Sequence, residues 1–276
     1  MTAPLAGARV LVMGIGRRAG GVGVIRYALG SGADVRVTDR ADPAVFAAVV
    51  EEFRGEPVTF VLGRHDDADF EWADVVVRNP DVRRDSPYLA VAEAHGARVE
   101  MEMTLFLAAS PAPTIGVTGT KGKTTTTLLL HSMLREHWPT SVVAGNMGRS
   151  ALARLGDVEP GVPVALELSS FQLEGLGEHA RSPHVAVVTN LRPDHLDRYA
   201  SLGEYAAARA SRRLCAPGTA SASTGPRSRR LPSQSATKRP SATNSVRSPS
   251  WRPSAKVTRR PRVPATSGRT ASSSAG

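Results

Sequence analysis

Thr114-Ile-Gly-Val-Thr-Gly-Thr-Lys-Gly-Lys-Thr-Thr-Thr-Thr127, followed at once by Leu128-Leu-Leu130, decides how the chain is read. Residues 115–117 form a short apolar run expected to be a buried strand. Residues 119–122 are a glycine loop, and a helix is expected from Lys123 onward. A strand, a glycine loop and a helix start together make an anion site. Loop N–H groups and the helix N-terminus point at phosphate, and Lys123 adds a full positive charge. Thr124 follows the lysine, where a phosphate-binding loop places the hydroxyl that helps hold Mg2+. The general pattern G-x-x-x-x-G-K-[ST] needs a glycine at position 117, which is valine, so the match is to the variant G-T-x-G-K-T. Gly119, Thr120, Lys121, Gly122, Lys123, Thr124 and Thr125 are the expected ATP-binding residues. The alternative is a Gly/Thr-rich turn that merely caps a helix, which the strand before it and the amphipathic helix after it argue against.

Downstream, the helix is expected to run through Met133 and Leu134 to a break at Pro139. Residues 142–144 lead as a strand into Gly145-Asn146-Met147-Gly148. Residues 164–174 read as a buried strand carrying a carboxylate, Glu167, and residues 184–190 as another strand opening onto Asp194 and His195. Apolar runs alternating with helices indicate a parallel sheet covered on both faces. Three polar clusters (Lys123/Thr124, Glu167, Asp194/His195) then fall at the carboxyl ends of three strands. A carboxylate and an imidazole suit Mg2+ or Mn2+ beside a triphosphate, with Thr124, Glu167 and His195 as ligands. Taken singly, Glu167 or His195 is equally well a strand-end residue satisfied by a local hydrogen bond.

Upstream, Arg9-Val-Leu-Val-Met13 ends in Gly14-Ile-Gly16-Arg-Arg-Ala-Gly20, and a second strand follows that closes on Asp39-Arg40. This is a βαβ start with an acid at the tip of its second strand, where a dinucleotide fold meets a ribose or a base. The glycine pattern is G-x-G-x-x-x-G, so a related sheet binding another nucleotide fits as well as an NAD site. Further strands are expected at 58–62 and 74–77, and a helix at 88–95. Arg78-Asn79-Pro80 sits at a strand end, either facing a ligand or forming a plain turn.

Charge divides the chain. Of its 35 basic residues 15 follow Glu204, the last acid, so 20 basic stand against 25 acidic residues up to that point, a net of −5 within a total of +10. A single cysteine, Cys215, excludes a disulfide framework and fits a reducing, cytoplasmic setting. From 217 onward the chain is rich in Ser, Arg, Pro, Thr and Ala, too apolar-poor to offset the entropy of ordering. Two readings of this disordered basic tail stand: a segment that binds RNA or anionic membrane, and the product of a shifted reading frame. Scarce aromatics for stacking on bases favour the second, which resequencing the coding DNA tests. Binding to nucleic acid through the tail is the function class set against an enzyme, and salt-dependent retention on DNA that deletion of 215–276 abolishes would favour it.

Taken as a set, G-T-K-G-K-T-T-T (119–126), G-N-M-G (145–148), L-E-L-S-S-F-Q-L-E (166–174) and T-N-L-R-P-D-H-L-D-R-Y (189–199) resemble the Mur ligases, and within them the D-glutamate-adding branch. Folylpolyglutamate synthetases share the phosphate loop but not the other strings. The resemblance covers about 1–210 and implies an α/β architecture. A Rossmann-like parallel-sheet domain (1–110) would take the UDP end of the substrate, an incomplete P-loop ATPase domain (111–214) would follow, and then the tail (215–276), with no domain for the incoming amino acid. It implies ATP and Mg2+ as cofactors. The implied reaction has the carboxylate of UDP-N-acetylmuramoyl-L-alanine attack the γ-phosphate, and D-glutamate then displace phosphate from the acyl phosphate. Lys123, Glu167 and His195 would be catalytic. Gly14, Gly16, Arg17, Arg18, Asp39, Arg40, Asn79, Asn146 and Ser169 would contact the UDP substrate. The implied protein is a monomer that engages neither membrane nor nucleic acid. One departure stands out: the family carries a carbamylated lysine four residues after a helical tyrosine, and Tyr205 is followed at that spacing by Arg209. Arginine cannot be carbamylated in that way and brings a fixed charge, so the chain is expected to bind its ligands and turn over poorly.

Overall fold

The computed structural model describes residues 5–16 and 20–192. The readings that rest on Arg17, Arg18, Asp194, His195, Arg209 and the tail therefore lie outside the described residues.

The chain opens with β1 (Arg9–Met13), α1 (Gly20–Gly30) and β2 (Asp34–Asp39). It continues through a 3-10 turn at Pro43–Phe46, α2 (Ala47–Glu52), β3 (Val58–Leu62), α3 (Asp67–Trp72), β4 (Val75–Arg78), α4 (Pro87–Ala94) and β5 (Arg98–Glu100). The five strands form one parallel sheet in the order β3-β2-β1-β4-β5. Sequence direction reverses between β1 and β4, and such a point leaves a crevice at the carboxyl ends of the strands. The run Val10-Leu-Val-Met13 is apolar on both faces because both are covered. Val10 and Val12 pack into one core with Ile25, Val35, Met103 and Phe106, while Leu11 and Met13 pack on the other side with Phe70, Val76 and Leu89. Each large side chain so buried contributes about 2 kcal/mol. Short polar residues start the minor helices: the Asp42 carboxylate accepts from the Ala44 N–H at 2.8 Å, and Asp66 accepts from Ala68.

A connecting helix, α5 (Glu102–Ala109), leads to β6 (Thr114–Thr118), α6 (Lys123–Arg135), β7 (Val143–Gly145), a 3-10 segment at Leu152–Asp157, β8 (Val164–Glu167), α7 (Ser170–Glu178) and β9 (Val185–Val188). The four strands pair in parallel in the order β7-β8-β6-β9. Two sequence expectations change. The strand expected over 164–174 ends at Glu167, because Ser169 and Gln172 form a capping box that starts α7. The Gln172 N–H donates to Ser169 Oγ at 3.2 Å, and the Ser169 N–H donates to Gln172 Oε1 at 3.0 Å. Second, cover on both faces is incomplete among the described residues. On α6, Leu129 and Met133 are 61% and 70% exposed, and Val185 and Val188 of β9 are about two-fifths exposed. No helix among the described residues is long and apolar enough to cross a membrane.

The end of α7 grips the first sheet. Arg78, the last residue of β4, has a fully buried guanidinium that donates to the Val82 carbonyl at 2.9 Å and to Glu178 Oε1 at 3.1 Å. Arg84 reaches the other Glu178 oxygen at 3.3 Å. His179 Nε2 donates to the Val99 carbonyl at 2.6 Å, and Arg181 pairs with Glu100 at 3.3 Å. Withdrawing the carboxylate from a buried guanidinium costs about 2 kcal/mol once its partial exposure is allowed for. E178A is therefore expected to lower the unfolding free energy by about that much, as read by urea denaturation, with E178Q losing less.

Candidate functional site

Two cavities meet at the segment between β7 and the following 3-10 turn. The first, of about 570 Å3, is lined by residues 120–125, Asn146, Met147, Gly148 and Glu167. Its floor is the loop between β6 and α6. Gly122 takes φ +81°, a left-handed cap that starts α6, and Gly119 takes φ +139°. A Cβ on Gly119 would lie 2.0 Å from Thr189 Oγ1, so only glycine lets the loop after β6 pass the exit of β9 this closely. The exit of β9 straps the loop in place. The Thr120 N–H donates to the Asn190 carbonyl at 3.1 Å, the Thr120 hydroxyl donates to the Arg192 carbonyl at 3.0 Å, and Asn190 Nδ2 and Thr189 Oγ1 both donate to the Lys121 carbonyl, at 2.8 and 2.7 Å.

Lys123, the first residue of α6, folds its ammonium back over the loop, donating to the carbonyls of Gly119 at 2.9 Å and Thr120 at 3.2 Å. Thr124 Oγ1 donates to Glu167 Oε2 at 2.6 Å, and Asn146 Nδ2 donates to Glu167 Oε1 at 3.1 Å. The Glu167 backbone carbonyl also accepts from the Asn146 N–H at 2.9 Å. Two of the three polar clusters expected at the strand ends are thus brought into direct contact; the third, with His195, lies outside the described residues. Glu167 has both a metal-ligand type of neighbour and the local hydrogen bonds of the alternative reading. The hydroxyl and carboxylate are hard oxygen donors beside a loop of N–H groups, which suits Mg2+: that ion takes one or two carboxylates and completes its shell with phosphate oxygens and water. Among the described residues no group of three or more His, Cys, Asp or Glu side chains could hold a metal on its own.

The second cavity, of about 430 Å3, includes Gly16, Gly20, Asn79, Glu102, Asn146, Gly148, Arg149 and Ser169 in its walls. Asn146 and Gly148 belong to both cavities. Gly14 and Gly16 have φ +85° and +71°. They face Asn79: a Cβ on Gly16 would lie 2.5 Å from Asn79 Nδ2. Asn79 is both a turn residue, its Oδ1 accepting the Asp81 N–H at 3.0 Å, and a wall of the cavity. Asp39 braces the loop, its carboxylate accepting the Ile15 N–H at 2.8 Å and the Ala41 N–H at 2.9 Å, while Arg40 beside it is exposed. The neighbouring His65 ring is pushed below its ordinary pKa, chiefly by burial. It packs edge-on to Phe70 and Tyr88, and its Nδ1 lies 2.8 Å from Thr38 Oγ1.

Sequence reasoning missed three residues here. Arg78 was read as facing a ligand or forming a plain turn, although an arginine closing a run of valines on a buried strand has to find a partner. Glu102 follows the β5 strand as Asp39 ends β2, and that likeness was the available signal. Gly23 drew no reading of its own. It admits Ser150, whose Oγ would lie 1.8 Å from a Cβ there, so it serves the packing of α1 on the 3-10 segment.

The sequence of these elements matches two family models: "Mur ligase MurD-like, N-terminal domain" over residues 8–100 and "Mur ligase middle domain" over 117–212. Three similar relatives are named UDP-N-acetylmuramoylalanine--D-glutamate ligase. The one from Roseiflexus sp. (strain RS-1) is 54% identical over 201 residues, 73% of this chain and 43% of that protein. The one from Geobacter metallireducens is 41% identical over 73% of this chain and 44% of its own length, and that from Borreliella afzelii 39% identical over 71% and 42%. The chain spans less than half the length of these relatives. With both matches lying on the two sheets and their glycine loops, the chain belongs to the Mur ligase family and is MurD-like.

Proposed function

We propose that the chain carries the UDP-substrate and ATP sites of an ATP-dependent ligase that adds D-glutamate to UDP-N-acetylmuramoyl-L-alanine in peptidoglycan synthesis, working in the cytoplasm. The observation that carries this reading is the meeting of two cavities at Asn146, one built on the Lys123 loop and one on the glycine loop of β1. Such a path lets a substrate whose nucleotide end lies over the first sheet reach the phosphate loop. In this reading Gly14, Gly16 and Asn79 shape the site for the UDP diphosphate, and Asn146 and Ser169 lie along the sugar and alanyl group. Residues 119–125 hold ATP. Lys123 exchanges its two carbonyl partners for phosphate oxygens, and Thr124 and Glu167 hold Mg2+. When bound, Mg2+ neutralises charge on the phosphates. The alanyl carboxylate then attacks the γ-phosphate in line and expels ADP, and the amine of D-glutamate displaces phosphate from the resulting acyl phosphate to leave an amide. Positioning and charge neutralisation do most of this, with little covalent work for the protein.

Arg209 favours a second element of the reading, that binding outlives turnover. Incubated with Mg2+, ATP, UDP-N-acetylmuramoyl-L-alanine and D-glutamate, the chain is expected to bind both nucleotides while releasing phosphate near background. R209K is expected to raise any measurable release roughly tenfold, the size typical of losing a group that supports a metal ligand. Glutamate-dependent release by the native chain at an ordinary rate would overturn the impaired-turnover reading. Failure to bind either nucleotide in calorimetry would overturn the assignment of the sites.

A further inference from the structure

Glu102, the first residue of α5, is the acid that the reaction leaves unused. Its two oxygens have different surroundings. Oε1 accepts three hydrogen bonds, from Ser150 Oγ at 2.5 Å, the Ala151 N–H at 2.7 Å and the Leu152 N–H at 3.4 Å. Oε2 accepts none from the described residues and faces the start of α1, where a Cβ on Gly20 would lie 2.9 Å away. Gly16 and Gly20 line the same cavity as Glu102, on the two sides of the β1–α1 connection.

We propose that Glu102 is a binding residue for an anionic phosphate group at the loop of residues 14–16, held as the neutral acid with Oε2–H presented to that group as a hydrogen-bond donor. This rests on the reading of the cavity as the site of the UDP substrate. An oxygen with three donors aimed at it acts as the carbonyl oxygen, so a proton on this carboxyl resides on Oε2, the oxygen that faces the cavity. A carboxylate in this place would repel a diphosphate; the acid attracts it. Burial already pushes the carboxyl above the ordinary carboxylate range, outweighing the opposite pull of Ser150, Leu152 and Ala151. Among the described residues, the charged and titratable groups on the elements around it make no ion pair with it. Arg26 of α1 is paired with Glu52, Arg154 of the 3-10 segment with Asp157, and Glu178 of α7 with Arg78. Glu100, two residues before it, pairs with Arg181, which also bonds the Thr104 carbonyl of α5; Tyr27 of α1 and Glu174 and His179 at α7 lie on the packed elements, and Asp81 and Arg149 share the cavity wall.

The sign follows from linkage: a carboxyl that the ligand needs protonated must take up a proton on binding wherever the free protein has lost it, so affinity falls as pH rises. The test is calorimetric titration of the native chain with UDP-N-acetylmuramoyl-L-alanine, whose own groups do not titrate between about pH 5.5 and about pH 8.5. It is run in two buffers of different ionisation heat. The expected result is uptake approaching one proton per site at the upper end, with Kd rising by up to about tenfold per pH unit. E102Q, whose amide oxygen replaces Oε1 and whose NH2 replaces the Oε2–H donor, is expected to bind with no uptake and a flat profile. Binding by the native chain without proton uptake, or by E102Q with the native slope, would overturn the role of Glu102 alone. Binding by neither protein at any pH would overturn the substrate site and this role with it. Should E102Q not fold, proton uptake by the native chain decides the matter.

Discussion

G145A is expected to lower the folding stability by about 3 kcal/mol or more and to abolish ATP binding with it. Gly145, the last residue of β7, holds φ +104°, where an L side chain is strained. A Cβ there would also lie 2.2 Å from the Glu167 carbonyl oxygen. The neighbour is backbone, so no rotamer change relieves the clash, and β7 must move away from β8. The movement falls on the functional residue itself: Gly145 is in register with Glu167, and Asn146 bonds both the Glu167 carbonyl and its carboxylate. G161A is the control. Gly161 has φ +80° but no neighbour within 4 Å of a Cβ, so it should cost only the backbone strain of about 1 kcal/mol. Chemical denaturation of the two variants separates strain from collision. Equal losses would mean that the approach of β7 to Glu167 is not as close as described.

K123A is expected to weaken ATP binding and any phosphate release about a hundredfold or more and to lower folding stability by about 1–2 kcal/mol. The Lys123 ammonium donates to the loop carbonyls of Gly119 and Thr120, both in buried residues, so its removal leaves buried acceptors short of a donor. The phosphates lose more, because the Lys123 ammonium adds a full charge to the N–H dipoles of the loop. K123R should rescue little, since a planar fork does not fit where a compact ammonium folds back on its own loop. Titration with a fluorescent ATP analogue measures the first effect and urea denaturation the second. ATP binding by K123A at native strength would remove the loop from the assignment.

What the sequence disclosed and withheld follows from how local each feature is. The β6–loop–α6 unit was legible because glycine, lysine and threonine requirements fall within ten adjacent residues, and Glu167 stood out only because it closes an apolar run in company with that loop. The first sheet was legible in β1 and β2 for the same reason. The break after Glu167 was missed because Leu168 and Phe171 prolong the apolar run; the cap formed by Ser169 and Gln172 outweighs that run. α5, Glu-Met-Thr-Leu-Phe-Leu-Ala-Ala, is apolar on most sides, so its period could not distinguish helix from strand. Partnerships across the fold were invisible. Nothing local tells that Thr189 and Asn190 strap a loop some 70 positions earlier, or that Glu178 answers Arg78 at a separation of 100.

The grip of α7 on the first sheet bears on how the chain can be divided in the laboratory. A cut in the linker before β6 would leave Arg78 and Glu100 as uncompensated charges on one fragment, and Glu178 and Arg181 on the other. Either fragment made alone would carry charges shaped to fit its absent half. Chimaeras that exchange one sheet between relatives would fail for want of four matched side chains rather than for any fault in the exchanged sheet. Such exchanges should therefore transplant α7 with β4 and β5 as a single cassette.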